Sequence, residues 1–329
     1  MKLRLRCWLW LVGMAVLLPL RSPAPLTYVP GEGWYYENYG ETGQWQRPRA
    51  KEQLEVAEQN FTNNNFSVTL HAAHRVLRVW PLSDYAPRAE YLVGRCLEKK
   101  GKDEAAFNAY QKIIEKYPKS TEYNEVLQRQ YAIAGRFLAG EWFRLWNTIP
   151  LYPSMDETAK LYDKIVNNGP YSEVAPHAQL NIGAARVKQK DYALAVKAFE
   201  TAADRYHDQP VIAADAMYRA GLAWQKQADT AEYDQGAAAQ AIAAYTDFIT
   251  FYPDDKRAAT AQQAMVKLKA EQVSGSFQIA KFYEKNHRWA GAVVYYNDVL
   301  QLDANSPLAV QARERIDVLK PRLQATPGK

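Results

Sequence analysis

The residues of this sequence best suited to acid–base or metal chemistry are its five histidines, His71, His74, His177, His207 and His287, and their spacing offers little of either. His71 and His74 stand on one helical face at i, i+3, which suits a pair of metal ligands, but no third ligand follows at a spacing that metal sites use. They are expected to be surface or groove histidines. Cys96 sits among apolar positions two residues after Gly94, with no His or Asp motif beside it, so a small buried hydrophobe is expected rather than a nucleophile. No G-x-S-x-G elbow, phosphate loop or dinucleotide fingerprint occurs. Carboxylates are plentiful but alternate with Lys and Arg along helical faces, as solvated surfaces do. The reading is therefore of a protein that is not an enzyme, with no catalytic residue, no metal and no cofactor.

What remains is recognition. Beside Gly94 stand Arg88, Tyr91, Arg95, Glu98 and Lys99, and beside Gly221 stand Asp215, Tyr218, Leu222 and Lys226. Tyrosine gives rigid apolar area with a polar tip, and arginine gives a fork that fits a carboxylate. Together they suit an extended peptide that ends in a carboxylate or an aromatic residue. These nine residues are the expected partner-binding set.

A binding set of this kind needs elements that hold it in line. The stretch from Ala86 to Pro118 supplies a template: Gly94 and Leu97 on one helix, turn chemistry at Gly101, Lys102 and Asp103, then Ala106, Tyr110 and Ile113 at i, i+4 and i+7 before Pro118 stops the second helix. The second-helix pattern recurs at Thr158, Tyr162 and Ile165, at Ala195, Phe199 and Ala202, at Ala241, Tyr245 and Phe248, at Ala292, Tyr296 and Val299, and in degenerate form at Thr69, Ala73 and Val76. Small residues precede these positions by sixteen, at Ala57, Gly94, Gly183 and Ala280, with Gly221 eight further back because of an insertion. A period of about 34 residues is that of the tetratricopeptide repeat, a helix pair that cannot bury its apolar face alone. The expected fold is all-α: a superhelical solenoid of about five to six antiparallel helix pairs, with the first helices lining its concave face and no strand between Ala50 and Leu319.

Upstream, three positive charges in Met1 to Arg6 precede an apolar run of thirteen residues, Trp8 to Leu20. This reads as a secretory signal over 1–24, or as a short anchor, since a comfortable bilayer span takes about 20 residues. Without Lys2, Arg4, Arg6 and Arg21 the 41 Lys and Arg fall to 37 against 36 Asp and Glu, so the exported chain is nearly neutral and nucleic acid is not an expected partner. Cys7 leaves with the signal or stays on the cytosolic side, and either way the single thiol of the exported part can form no internal disulfide.

Residues 25–49 are rich in Pro, Gly and aromatics, with Trp34, Tyr35, Tyr36, Tyr39 and Trp45. They read as an extended lead-in, too aromatic for a solvated linker. It packs as an irregular cap along the first repeats or meets a partner or membrane. The solenoid is expected over 50–323 and a loose tail over 324–329. Two irregularities stand out: a long first helix from Tyr123 to Trp146 followed by the loop NTIPLYPSMD, and the polar insertion ADTAEYDQGAAAQ, which lengthens the turn of the fifth pair.

With these irregularities in view, LQRQYAIAGRFLAGE, SMDETAKLYDKIVNNGPYSEVAPHAQLNIGAA, YALAVKAFETAADRY, AADAMYRAGLAW and QIAKFYEKNHRWAGAVVYYNDVLQLDANSP resemble the YfiO/ComL lipoproteins, the BamD family. The resemblance implies a periplasmic scaffold at the cell outer membrane in β-barrel protein assembly, whose early repeats take unfolded barrel substrates and whose last repeats take a POTRA-domain subunit of the Bam complex. Members carry a lipobox cysteine after the apolar run. Here no cysteine stands just after Leu20 at the end of that run, so membrane association is expected through partners or the N-terminal segment. A general periplasmic repeat scaffold for envelope or cell-wall machinery, of the Tol-Pal coordinator kind, shares all the packing features and stays open.

Overall fold

The computed structural model describes residues 26–29, 33–36, 45–47, 49–145, 149–152, 154–230 and 235–324, and the expected signal over 1–24 and the end of the tail lie outside them. Two compact units divide the chain at Val126 and Leu127.

The first unit holds a hairpin, β1 (Leu26–Val29) with β2 (Gly33–Tyr36), then α1 (Ala50–Thr62), α2 (Phe66–Val79), α3 (Ala86–Lys99), α4 (Asp103–Lys116) and the first turn of α5 (Tyr123–Ala139). The second holds the rest of α5, the hairpin β3 (Phe143–Leu145) and β4 (Ile149–Tyr152), then α6 (Met155–Asn168), α7 (Ala175–Lys188), α8 (Tyr192–Arg205), α9 (Pro210–Thr230), α10 (Gln235–Phe251), α11 (Ala258–Lys285), α12 (Trp289–Leu302) and α13 (Pro307–Gln324). Among the described residues the helices fall into six pairs and a closing helix, an all-α tetratricopeptide solenoid fold.

The repeat template is the core. Ala106, Tyr110 and Ile113, and their equivalents from Thr69 to Val299, are all 2% exposed or less. Burying a large apolar side chain contributes about 1.5–3 kcal/mol, so the second helices are held mainly by this stripe. Small residues on the first helices set the approach: a methyl on Gly94 would lie 2.4 Å from the Tyr110 ring, and one on Gly183 2.4 Å from Phe199. Between the helices of a pair, the residue two before the second helix takes a left-handed φ, at Asn64, Gly101, Lys190 and His287. The side chains of Asn65, Ser154 and Asp191 then cap α2, α6 and α8 by accepting from backbone N–H groups of the first turn. Successive pairs are tied by the tyrosine that ends a second helix: the Tyr117 hydroxyl donates to the Pro81 carbonyl at 2.9 Å, and Tyr206 to Pro170 at 3.2 Å.

Three expectations are corrected. The long first helix ends at Ala139 and not at Trp146, because Gly140 turns the chain at φ 113°. The segment beyond it is not a plain loop, and strands do occur between Ala50 and Leu319: β3 and β4 pair antiparallel, Phe143 with Tyr152 and Leu145 with Ile149, with a bulge after Phe143. The Phe143 ring stacks on Phe137 at 4.2 Å, and among the described residues β3 and β4 form a two-stranded sheet of their own, so the hairpin interrupts the third pair. The insertion in the fifth pair does not simply lengthen a turn. α9 runs on to Thr230 and α10 starts at Gln235, so most of it extends two helices.

In the lead-in, β1 and β2 form their own hairpin, Leu26 opposite Tyr36. Tyr39 and the side chains of Trp34, Tyr35 and Tyr36 fall outside the described residues. Trp45 packs against the α1–α2 core, 6.0 Å from the His71 ring. The buried Gln53 fixes this end: its amide donates to the Trp45 carbonyl at 3.0 Å, and its carbonyl accepts from the Arg47 N–H at 2.8 Å.

Candidate functional site

In the first unit α3 carries the expected set. Tyr91 is the third residue before Gly94, which turns its ring onto Tyr110 of α4, 6.0 Å between centroids, and leaves it 3% exposed. Its hydroxyl donates to the Glu125 carboxylate and accepts from Arg95 Nη1 at 2.9 Å. Arg88 Nε donates to Glu58 at 2.8 Å, with Glu122 at 4.0 Å from its Nη1. Both guanidiniums lie over the Tyr91 ring, at 5.3 and 5.7 Å, and Arg95 lies also over Phe61 at 5.5 Å. The result is a layered row of arginine and aromatic planes fringed by Glu58, Glu122 and Glu125. Arg88 keeps 41% of its side chain in solvent, so part of its donor fork faces outward. Glu98 is turned inward to accept from the Tyr110 hydroxyl at 2.7 Å, and Lys99 is exposed.

In the second unit α9 carries the other four. Asp215 is a hub: Arg219 reaches it at 2.8 Å and Arg257, at the start of α11, at 2.6 Å. Arg257 also grips Asp255 through Nε at 2.9 Å and Nη2 at 2.8 Å. Those hydrogen bonds hold the Asp255 carboxyl down at about 2. The guanidinium covers Tyr218 at 4.9 Å and Phe248 at 5.6 Å. Leu222 is half-buried against the Tyr245 and Phe248 cluster, and Lys226 is exposed.

Sequence reasoning missed Arg257, Glu58, Glu122 and Glu125. The signal was present in the repeat spacing. Arg88 and Glu122 stand 34 apart; Asp215 and Arg257 stand 42 apart, the same interval plus the eight-residue insertion, with the charges exchanged. Side chains one repeat apart on first helices meet, so a charge at one predicts its partner at the next.

Nothing in these arrangements assembles a nucleophile with a base. Burial pushes the Cys96 thiol up to about 11, despite nearby Lys100 and Arg95. Among the described residues no three His, Cys, Asp or Glu side chains are placed to hold a metal ion, and no helix is long and apolar enough to cross a membrane. What the two rows offer is planar cations, aromatic faces and carboxylates.

None of the curated proteins matches the chain. Among solved structures it is similar to the C-terminal part of a tetratricopeptide repeat-containing protein from Cytophaga hutchinsonii, at 16% identity and TM-score 0.37 over 83% of this chain and 91% of that one. A tetratricopeptide repeat protein from Parabacteroides merdae matches at 11% identity and TM-score 0.34, covering 82% of this chain and 98% of that one. PilW, described as a widely conserved type IV pilus biogenesis factor, matches at 14% identity and TM-score 0.28, covering 80% and 97%. The sequence profile of the tetratricopeptide repeat fits residues 88–120, the α3–α4 pair that carries the Tyr91 row. A second profile, that of the YfiO outer membrane lipoproteins, runs through residues 153–324, from the start of α6 to the end of α13, and with more than half of its length so matched this chain belongs to the YfiO family.

Proposed function

We propose that this protein is a non-catalytic periplasmic scaffold of outer-membrane β-barrel assembly, BamD-like, which holds unfolded barrel substrates and a POTRA-domain subunit on its repeats. The observation that carries this reading is the match of α6 to α13 to the outer membrane lipoprotein family. The early repeats take substrate, with Arg88, Arg95 and Lys99 meeting its carboxylate and aromatic groups, while Tyr91 and Glu98 order the row from beneath. The later repeats take the assembly subunit, with Asp215, Tyr218, Leu222 and Lys226 on the face it meets. Partly solvated guanidiniums stacked on tyrosine support this, because a planar cation already ordered by its neighbours loses little freedom when a carboxylate docks. Signal-directed export delivers the chain to the periplasm, and its partners or its N-terminal segment hold it at the membrane.

The test is a cross-linked pull-down from envelope fractions, with the mass of the mature N-terminus measured on the same material. Recovery of a POTRA-domain subunit together with barrel substrates is the expected result. Recovery of Tol-Pal or cell-wall proteins without any barrel-assembly subunit would overturn it. Within the first unit, Tyr91→Ala with Arg95→Ala is expected to reduce cross-linking to substrate peptides several-fold, and unchanged cross-linking would remove that row from the site.

A further inference from the structure

A trough of about 660 Å³ opens between α8, α9 and α10 in the second unit, on the side formed by the second helices and away from the Asp215 hub. Its floor is α9, where Ala213, Met217 and Ala220 follow one another at i, i+4 and i+7. Two of these are alanines, so the floor lies low while α8 and α10 rise as walls. Phe251, 68% exposed, stands at one end.

The walls carry one sign of charge. Glu200 and Asp204 from α8 and Asp247 from α10 line the trough, with no Lys or Arg among its residues. All three are exposed, and none makes an ion pair. Glu200 and Asp204 are like charges at i, i+4, an arrangement that weakens an isolated helix by about 0.2–0.5 kcal/mol. Asp156 and Glu157 on α6, and Asp317 on α13, by contrast each have a lysine partner, Lys160 for the first two and Lys320 for the third.

An apolar floor about two helical turns long, between unpaired carboxylates, fits one kind of occupant. We propose that this trough docks a basic amphipathic helix of a partner protein, its apolar side chains over Ala213, Met217 and Ala220 and its Lys or Arg, one turn away, against Asp204, Glu200 and Asp247. Exposed Phe251 closes over the apolar stripe of the incoming helix. The site is separate from the first-helix rows and does not depend on the role in barrel assembly.

The probe is a fluorescein-labelled helical peptide built of Leu and Lys at amphipathic spacing, followed by anisotropy on the purified chain, with a Leu and Glu peptide of equal length beside it. Saturable binding of the Lys peptide and none of the Glu peptide is expected. Asp204→Asn with Asp247→Asn should weaken it about tenfold, and Phe251→Ala several-fold. Glu173→Gln with Asp317→Asn, exposed acids elsewhere, should leave it unchanged. Every substituted side chain is exposed, so the variants keep the fold, which circular dichroism checks. Equal binding of both peptides, no binding of the Lys peptide, or equal loss in the two neutralised pairs overturns the proposal. So does light scattering that finds a dimer dissociated by Asp204→Asn with Asp247→Asn, since the occupant would then be a second copy.

Discussion

Gly221 precedes Tyr245 by 24 residues, eight more than separate Gly94 from Tyr110, yet a methyl group on Gly221 would meet the Tyr245 ring at 2.6 Å, as one on Gly94 would meet Tyr110 at 2.4 Å. Four of the eight extra residues lengthen the end of α9 and three the start of α10, roughly a turn each at 3.6 residues per turn. Because the two helices run antiparallel, such additions leave the facing positions in register. The contact is thus conserved within the chain although its sequence separation is not.

Close approach makes these glycines intolerant. Gly94→Ala and Gly183→Ala, each forcing a methyl into an aromatic ring, are expected to lower stability by about 1–3 kcal/mol. Gly135→Ala is the contrast, since its nearest new neighbour would be the Tyr162 hydroxyl at 3.9 Å. There the gain in helix propensity should raise stability by about 0.5–1 kcal/mol. Thermal melts of the three variants check both directions.

In three pairs the tyrosine that meets the small residue has its hydroxyl matched by the side chain four residues beyond that small residue. Tyr110 donates to Glu98, Tyr296 to Glu284 and Tyr245 to Gln225, at 2.7, 2.8 and 2.8 Å, while the fourth pair has Phe199 and, at the matching position, Val187. Tyr245→Phe should cost about 1 kcal/mol by leaving Gln225 without that donor. Adding Gln225→Val should recover most of the loss, which a double-mutant cycle by urea denaturation would read. Additive losses in that cycle would contradict the pairing.

Cys96 should be chemically silent in the folded chain. It is buried, and with its thiol pushed up to about 11 almost no thiolate exists at pH 8. In a Cys7→Ser chain, Ellman's reagent at pH 8 is expected to find no reactive thiol until denaturant is added. Fast labelling of the native protein would mean that the α3 packing opens readily.

The Arg257 hub makes part of the stability acid-sensitive. Asp255 has its folded value lowered from 3.8 to about 2, so its contribution is complete above the ordinary carboxylate value and is lost as pH falls through about 2. Since the pair stands partly in water, the contribution is on the order of 1 kcal/mol. Denaturation midpoints measured from pH 6 downward should separate the native chain from Asp255→Asn at neutral pH and bring them together near pH 2. A constant gap across the range would exclude the linkage.

The Arg88 and Asp215 rows mark the limit of sequence reading. Their helices, their place beside a packing glycine and even their partners 34 or 42 residues on follow from the repeat. That Tyr91 spends its ring on Tyr110 and its hydroxyl on Glu125, or that Glu98 turns inward, does not, because each is chosen among several neighbours at equal sequence distance.

The amino-acid order alone determined the helix pairs, since small and aromatic residues at fixed spacing leave an amphipathic helix one face to bury and one partner to bury it against. Only the tertiary structure decided the rest: the β3–β4 hairpin, whose strands are too short and proline-marked to announce themselves, the absorption of the insertion into α9 and α10, and the acidic trough. Each depends on which surfaces remain after the pairs have stacked, and periodicity along the chain says nothing about surfaces contributed by three helices at once.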